Sequence, residues 1–211
     1  MQIAEYGDLS AKTVLLRMSE KREEEFIKSE FRILSENSPV PFYFLALKVE
    51  DWNGDLSPWE APAVFGNEGF AGRAKETLEE VKKICIKKDR TYIIGGYSLA
   101  GLFAIWSAYN TDIFSGVAAA SPSVWFPDFT KYMMQGTIHT GSVYLSLGDR
   151  EDKTKNPVMS TVKERILQAR DILEKNGIGC TLEFNPGNHF KDPDMRMAKA
   201  YLSVLEKINL K

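Results

Sequence analysis

Short apolar runs alternate along this chain with longer segments of helical periodicity, and no other feature limits its fold as much. The runs are Thr13–Met18, Phe42–Val49, Thr91–Gly95, Gly116–Ala120, Ser142–Leu147 and Thr181–Asn185. Several have no polar face. Val14-Leu15-Leu16 and Phe44-Leu45-Ala46-Leu47 would bury side chains on both sides of a sheet, as interior strands of a parallel sheet do. The helical segments between them are Lys21–Ser35, Gly69–Lys87, Leu99–Tyr109 and Pro157–Lys175, with a last one from Asp192-Pro193 to about Lys207. Pro157 and the Asn176-Gly177 pair are a helix start and a helix stop. Strict alternation of strand and helix predicts one α/β domain over residues 1–211. It has about six mostly parallel strands, in the order 2-1-3-4-5-6, with helices on both faces. Ligands of such sheets sit outside the carboxyl ends of the strands. Each candidate residue can therefore be sorted by whether it follows a strand or precedes one.

Composition narrows the class. Of 211 residues, 44% are hydrophobic and 27% charged, and the formal net charge is -2, so no basic footprint for nucleic acid is present. The run Glu20–Glu25 reads as a solvated helix face. The start of the chain, Met1-Gln2-Ile3-Ala4-Glu5, carries no leader pattern, and no apolar run has the length of a membrane span. A cytoplasmic protein with no membrane partner is the expectation. Cys85 and Cys180 fit neither a metal spacing nor a disulfide framework and read as buried reduced thiols.

The chemistry gathers after the third run. Gly95-Gly96-Tyr97-Ser98-Leu99-Ala100-Gly101 joins a strand directly to a helix. A serine on so tight a turn sits in strained backbone with its hydroxyl raised above the sheet, and small neighbours let strand and helix approach. Ala100 stands where glycine is usual. A dinucleotide-binding turn would need glycine where Ser98 stands. A nucleophilic serine requires a base, and the chain has two histidines. His139 precedes the fifth strand, at the edge away from Ser98, whereas His189 follows the last strand, at the same edge. The imidazole needs a carboxylate to orient it. After the fifth strand come Asp149, Glu151 and Asp152; Glu151 is preferred for its distance past Gly148, with Asp152 and Asp149 open.

An oxyanion site needs two donors. One is the N–H of Leu99. The other is expected from the end of the neighbouring first strand, at Ser19 or Met18. Aromatic residues collect in loops at this edge. Trp52, Tyr97, Ser123 and Trp125 are the candidate pocket residues, and the segment from Glu60 to Gly69 is a candidate cover for the cleft.

The stretches Gly96-Tyr97-Ser98-Leu99-Ala100-Gly101-Leu102-Phe103, Ala119-Ala120-Ser121-Pro122-Ser123-Val124-Trp125 and Asn188-His189-Phe190, with Asp55-Leu56-Ser57-Pro58 upstream, resemble the α/β-hydrolase branch that includes esterase D and the enterochelin (trilactone siderophore) esterases. The likeness covers about residues 40 to 190. It implies a minimal α/β-hydrolase fold without the N-terminal hairpin of larger members. It also implies Ser98 as nucleophile, His189 as base and an acid near Gly148. The reaction it implies is hydrolysis of a small-molecule acyl ester with no metal or organic cofactor. An acyltransferase or a small peptidase on the same triad, or a non-catalytic binding protein of this fold, are the alternatives.

Overall fold

Runs that lack a polar face become the interior of a sheet. The computed structural model describes residues 1–64 and 66–209. Its strands are β1 (Gln2–Gly7), β2 (Thr13–Ser19), β3 (Phe42–Lys48), β4 (Glu60–Ala61), β5 (Phe70–Ala71), β6 (Thr91–Tyr97), β7 (Phe114–Ala120), β8 (Ser142–Gly148) and β9 (Gly179–Asn185). Its helices are α1 (Glu24–Asn37), α2 (Trp52–Asp55), α3 (Ala74–Ile84), α4 (Leu99–Asn110), α5 (Phe129–Gln135), α6 (Val162–Lys175) and α7 (Pro193–Asn209). The main sheet has seven strands in the order β1-β3-β2-β6-β7-β8-β9, and β4 pairs separately with β5. Every neighbour in the main sheet is parallel except β1, which runs antiparallel to β3.

The expected six-strand order, 2-1-3-4-5-6, is thereby corrected. The added strand β1 precedes all the others and lies at an edge. Its sequence, Gln-Ile-Ala-Glu-Tyr-Gly, has no continuous apolar run. Only Ala4 and Tyr6 are partly covered while their neighbours are exposed, a period-two pattern too short to stand out. Tyr6 fixes the strand by packing its ring 5.2 Å from Phe31 and 6.0 Å from Phe44. The helices α2 and α5 were also not expected; at 4 and 7 residues they are too short to show a period. Cys85 and Cys180 are unpaired, and they are half-buried rather than buried. No helix among the described residues is long and apolar enough to cross a membrane.

Alternate side chains of the strands feed two cores. On one face Val14, Leu16, Ile94 and Leu145 pack with α3, α4, α5 and α6; on the other Leu15, Phe44, Ile93 and Tyr144 pack with α1 and α7. This second face also carries a buried charge. Arg17 of β2 is 1% exposed, with Nε 3.1 Å from Glu30 Oε2 and Nη2 2.8 Å from Glu23 Oε1. Its Nη1 donates to the Met18 carbonyl at the end of the same strand. Burial lowers the guanidinium pKa, but Glu23 and Glu30 more than reverse this. Burial pushes the Glu30 carboxyl up to about 7 against the pull of Arg17.

Removing one member of such a pair leaves a charge without a partner in the core. Arg17→Met is expected to lose about 3–5 kcal/mol of stability by urea titration, and Arg17→Met with Glu30→Leu to regain most of it. The single variant's deficit should deepen as pH rises past 7, because the fold must then keep an unpartnered Glu30 protonated while the unfolded chain releases that proton. A single-variant loss below about 1 kcal/mol would rule out the pair as a buried pin.

Candidate active site

The turn after β6 is built by close approach. Ser98 stands between β6 and α4 with φ 57° and ψ −121°, a left-handed conformation that a non-glycine residue holds only when its surroundings impose it. Gly96 supplies the clearance. A Cβ there would lie 2.4 Å from the carbonyl carbon of Ala100 and 2.6 Å from its Cβ. Position 100 accepts alanine because glycine occupies position 96. A Cβ at Gly101 would meet the Gly96 carbonyl oxygen at 2.9 Å and Pro122 at 3.0 Å, so this second glycine lets α4 approach the end of β7.

The segment Ser121-Pro122-Ser123 follows β7 and serves three neighbours. Ser121, with φ 44°, donates its hydroxyl to Glu151 Oε1 at 2.7 Å. Pro122 abuts Gly101. Ser123 brings its Oγ 3.4 Å from Ser98 Oγ and its N–H 3.0 Å from the Ser98 carbonyl.

Of the three candidate acids, only Glu151 reaches the imidazole. Its Oε2 is 2.7 Å from His189 Nδ1, and its side chain is 2% exposed. Oε1 accepts from the Gly148 N–H at 2.6 Å, from Ser121 and from Arg196 Nη1 at 3.2 Å. Burial raises the carboxyl's pKa. The hydrogen bond and charge of His189, with the Ser121 and Gly148 donors, outweigh it and hold Glu151 below the usual carboxylate range. Asp149 is engaged elsewhere, accepting from the Gly187 N–H at 2.8 Å. Asp152 pairs with Lys153. His139 donates its backbone N–H to Ala108 and precedes β8, at the opposite edge from Ser98.

Arg196, on α7, was not expected in the site. It is 3% exposed and donates to Tyr97 OH at 3.0 Å, Ser121 Oγ at 3.3 Å and Glu151 Oε1. Its other terminal nitrogen donates to the Pro186 and Asn188 carbonyls at 3.2 and 3.0 Å. Tyr97 OH in turn donates to the His189 carbonyl at 2.7 Å. One guanidinium thus joins the end of β6, the acid and the loop that bears the imidazole. The residue gave no signal in sequence, because arginine is ordinarily exposed.

Ser98 and His189 line one cavity of about 410 Å³. With Nδ1 committed to Glu151, Nε2 is the ring nitrogen left for the serine. Trp125, Met159 and Phe190 give this cavity an apolar wall, and Arg150 and Lys153 a basic one. Tyr97 and Ser123 are buried and are not in its lining. Trp52 is corrected: it is not in this lining and packs against the core from α2, a short helix in which Asp51 accepts from the Gly54 N–H and Arg73 pairs with Asp51 and Asp55. The expected cover over residues 60–69 is a small β4–β5 hairpin, and none of its described residues lines the cavity; Phe65 lies outside the described residues. Leu99 opens α4, where backbone N–H groups lack helical partners. β2 lies beside β6, with Met18 opposite Gly96 and Ser19 at the strand end. Both residues are fully buried. No cluster of three His, Cys, Asp or Glu suited to a metal occurs among the described residues.

The close approach at the turn yields a prediction. Gly96→Ala must push α4 off β6 and should cost about 3 kcal/mol, whereas Ala100→Gly loses only about 1 kcal/mol of helix propensity. Urea midpoints of the two variants measure this, and a Gly96→Ala protein as stable as the parent would contradict it.

No protein-family model and no curated protein matches the chain. Solved structures do. An IroE-like serine hydrolase from Shewanella oneidensis superposes with a TM-score of 0.75 at 17% identity, over 97% of this chain and 74% of that one. The siderophore hydrolase EstA from Aspergillus nidulans gives 0.68 at 18%, over 95% and 85%. Acyl-protein thioesterase 2 from Zea mays gives 0.60 at 13%, over 97% and 99%. The chain has the α/β-hydrolase fold of these serine hydrolases and esterases.

Proposed function

We propose that this protein is a serine hydrolase that cleaves a small acyl ester through an acyl-enzyme. The observation that carries this reading is the 2.7 Å contact from Glu151 to His189 Nδ1, made by an imidazole that shares a cavity with the strained Ser98. Ser98, Glu151 and His189 follow three different strands and line that one cavity, in the chain order that nucleophile, acid and base take in this fold. Its structural neighbours include a siderophore hydrolase and an acyl-protein thioesterase, and these activities agree with the reading.

In this mechanism Ser98 attacks the ester carbonyl while His189 Nε2 takes its proton. Glu151 holds the correct tautomer and stabilises the imidazolium. The Leu99 N–H and a backbone donor at the end of β2, Met18 or Ser19, receive the oxyanion. His189 then protonates the leaving alcohol, and water repeats the sequence on the acyl-enzyme. Arg196 positions the acid and the His189 loop without touching substrate.

Ser98→Ala should lower turnover of p-nitrophenyl butyrate by about a thousandfold or more with the fold retained. A fluorophosphonate probe should label Ser98 in the parent and fail to label it in His189→Ala. Undiminished turnover in Ser98→Ala would sink the mechanism. Arg196→Lys cannot reproduce the planar fork. It should reduce kcat about ten- to a hundredfold with KM little changed, since a misplacement of about 1 Å in a catalytic group has that effect. A loss confined to KM would instead assign Arg196 to substrate binding.

A further inference from the structure

Resting on the serine hydrolase reading, we infer that the substrate's alcohol part carries a carboxylate, so that the enzyme releases a hydroxy acid. The cavity shared by Ser98 and His189 is lined by two cationic side chains, Arg150 and Lys153. Among the described residues, the one carboxylate in its lining, Glu151, is buried and occupied by His189 and Arg196. The accessible charge of this cavity is therefore positive, in a chain whose net charge is -2. A cavity lined by one sign of charge concentrates ligands of the other.

Arg150 is held for this task by its backbone alone. Its N–H donates to the Gly187 carbonyl at 3.1 Å, and its carbonyl accepts from the Lys153 N–H at 3.2 Å. Asp149 beside it is tied to the Gly187 N–H. The backbone is pinned on both sides while the guanidinium has no hydrogen-bond or ion-pair partner among the described residues. Lys153 is engaged by Asp152 at 3.3 Å, which leaves Arg150 as the stronger anchor. Its planar fork suits a carboxylate.

The side of the reacting carbonyl follows from the chemistry. His189 delivers its proton to the leaving oxygen, so the alcohol part lies against the imidazole. Arg150 adjoins Glu151 in sequence and bonds to the His189 loop at Gly187, which puts it on that side. Phe190 is also there, with its ring 5.4 Å from the imidazole and edge-on to it. It is 83% exposed, a large apolar surface that an aromatic or apolar alcohol would cover. In the balanced reaction the acyl C–O bond breaks, the acyl group passes to Ser98 Oγ, and the hydroxy acid leaves with the proton from His189. Water then returns the acyl group as a carboxylic acid.

The test compares 3-acetoxybenzoate with 3-acetoxybenzamide, which differ in the charge of the leaving part and little in size. The parent enzyme should favour the benzoate in kcat/KM by about tenfold, the scale of one charge-assisted hydrogen bond. Arg150→Gln should bring the ratio near one, and added salt should shrink it. Lys88→Gln, an exposed charge beyond α3 and before β6, should leave the ratio intact. Equal kcat/KM for the two esters in a parent whose turnover depends on Ser98 overturns the anion subsite alone. The same holds if the preference survives Arg150→Gln. Turnover of neither ester by a protein that cleaves p-nitrophenyl butyrate through Ser98 overturns the subsite alone, and absence of Ser98-dependent turnover of all three overturns the hydrolase reading with it.

Discussion

The sheet edge that carries Ser98 and His189 depends on one buried carboxylate. Glu151 receives donors from the Ser121 hydroxyl, the Gly148 backbone, the Arg196 guanidinium and the His189 ring. These belong to the ends of β7 and β8, to helix α7 and to the loop after β9. A carboxylate taken out of water must be satisfied on both oxygens. Here that requirement draws four segments of chain to one point. Replacing it with an apolar group would leave Ser121 without its acceptor, Arg196 without its counter-charge and the imidazole without its partner.

Strain is distributed around the same point. Among the described residues, four non-glycine residues have positive φ: Ser98, Ser121, Asp128 and Asp192. Two of them, Ser98 and Ser121, are in the site, and Asp192 accepts the Arg196 N–H from just before the helix that delivers the guanidinium. Such conformations persist where the surroundings over-determine them. At Ser98 the surroundings are the helix brought in by Gly96 and Gly101, and at Ser121 they are the carboxylate that its hydroxyl caps.

Interior strands, the serine turn and the placement of His189 were legible because each leaves a local mark. A doubly apolar run can only be buried, a Gly-x-Ser turn needs small neighbours, and a histidine after a strand falls at a known edge. What escaped has no local mark. β1 is a polar edge strand, identifiable only through the rings that Tyr6 meets across the sheet. Arg196 looks like any helix arginine until the partners at β6, at the acid and at the His189 loop are seen together. Trp52 has the edge and the residue type of a pocket residue, but its short helix packs it against the core, outside the cavity lining. Spacing from Gly148 favours Glu151 without excluding Asp149 or Asp152; what spacing does not carry is the tertiary partners, Gly187 for Asp149, Lys153 for Asp152 and His189 for Glu151.

Helix α7 connects these observations across the sheet. Tyr201 sends its hydroxyl to the Leu16 carbonyl at 2.8 Å, passing where a Cβ on Gly95 would stand 2.6 Å from it. Five residues earlier on the same helix, Arg196 reaches Tyr97 and Glu151. The helix therefore grips β2, β6 and the acid from the face opposite α4, which carries the serine. Arg17 grips the end of β2 from this same face through the Met18 carbonyl, at the strand from which an oxyanion donor would come. Ser98 is aimed from one core, and the polar groups around Glu151 and His189 are fixed from the other. A perturbation of the α7 core should then disturb the orientation of the acid and base while leaving the serine turn itself in place.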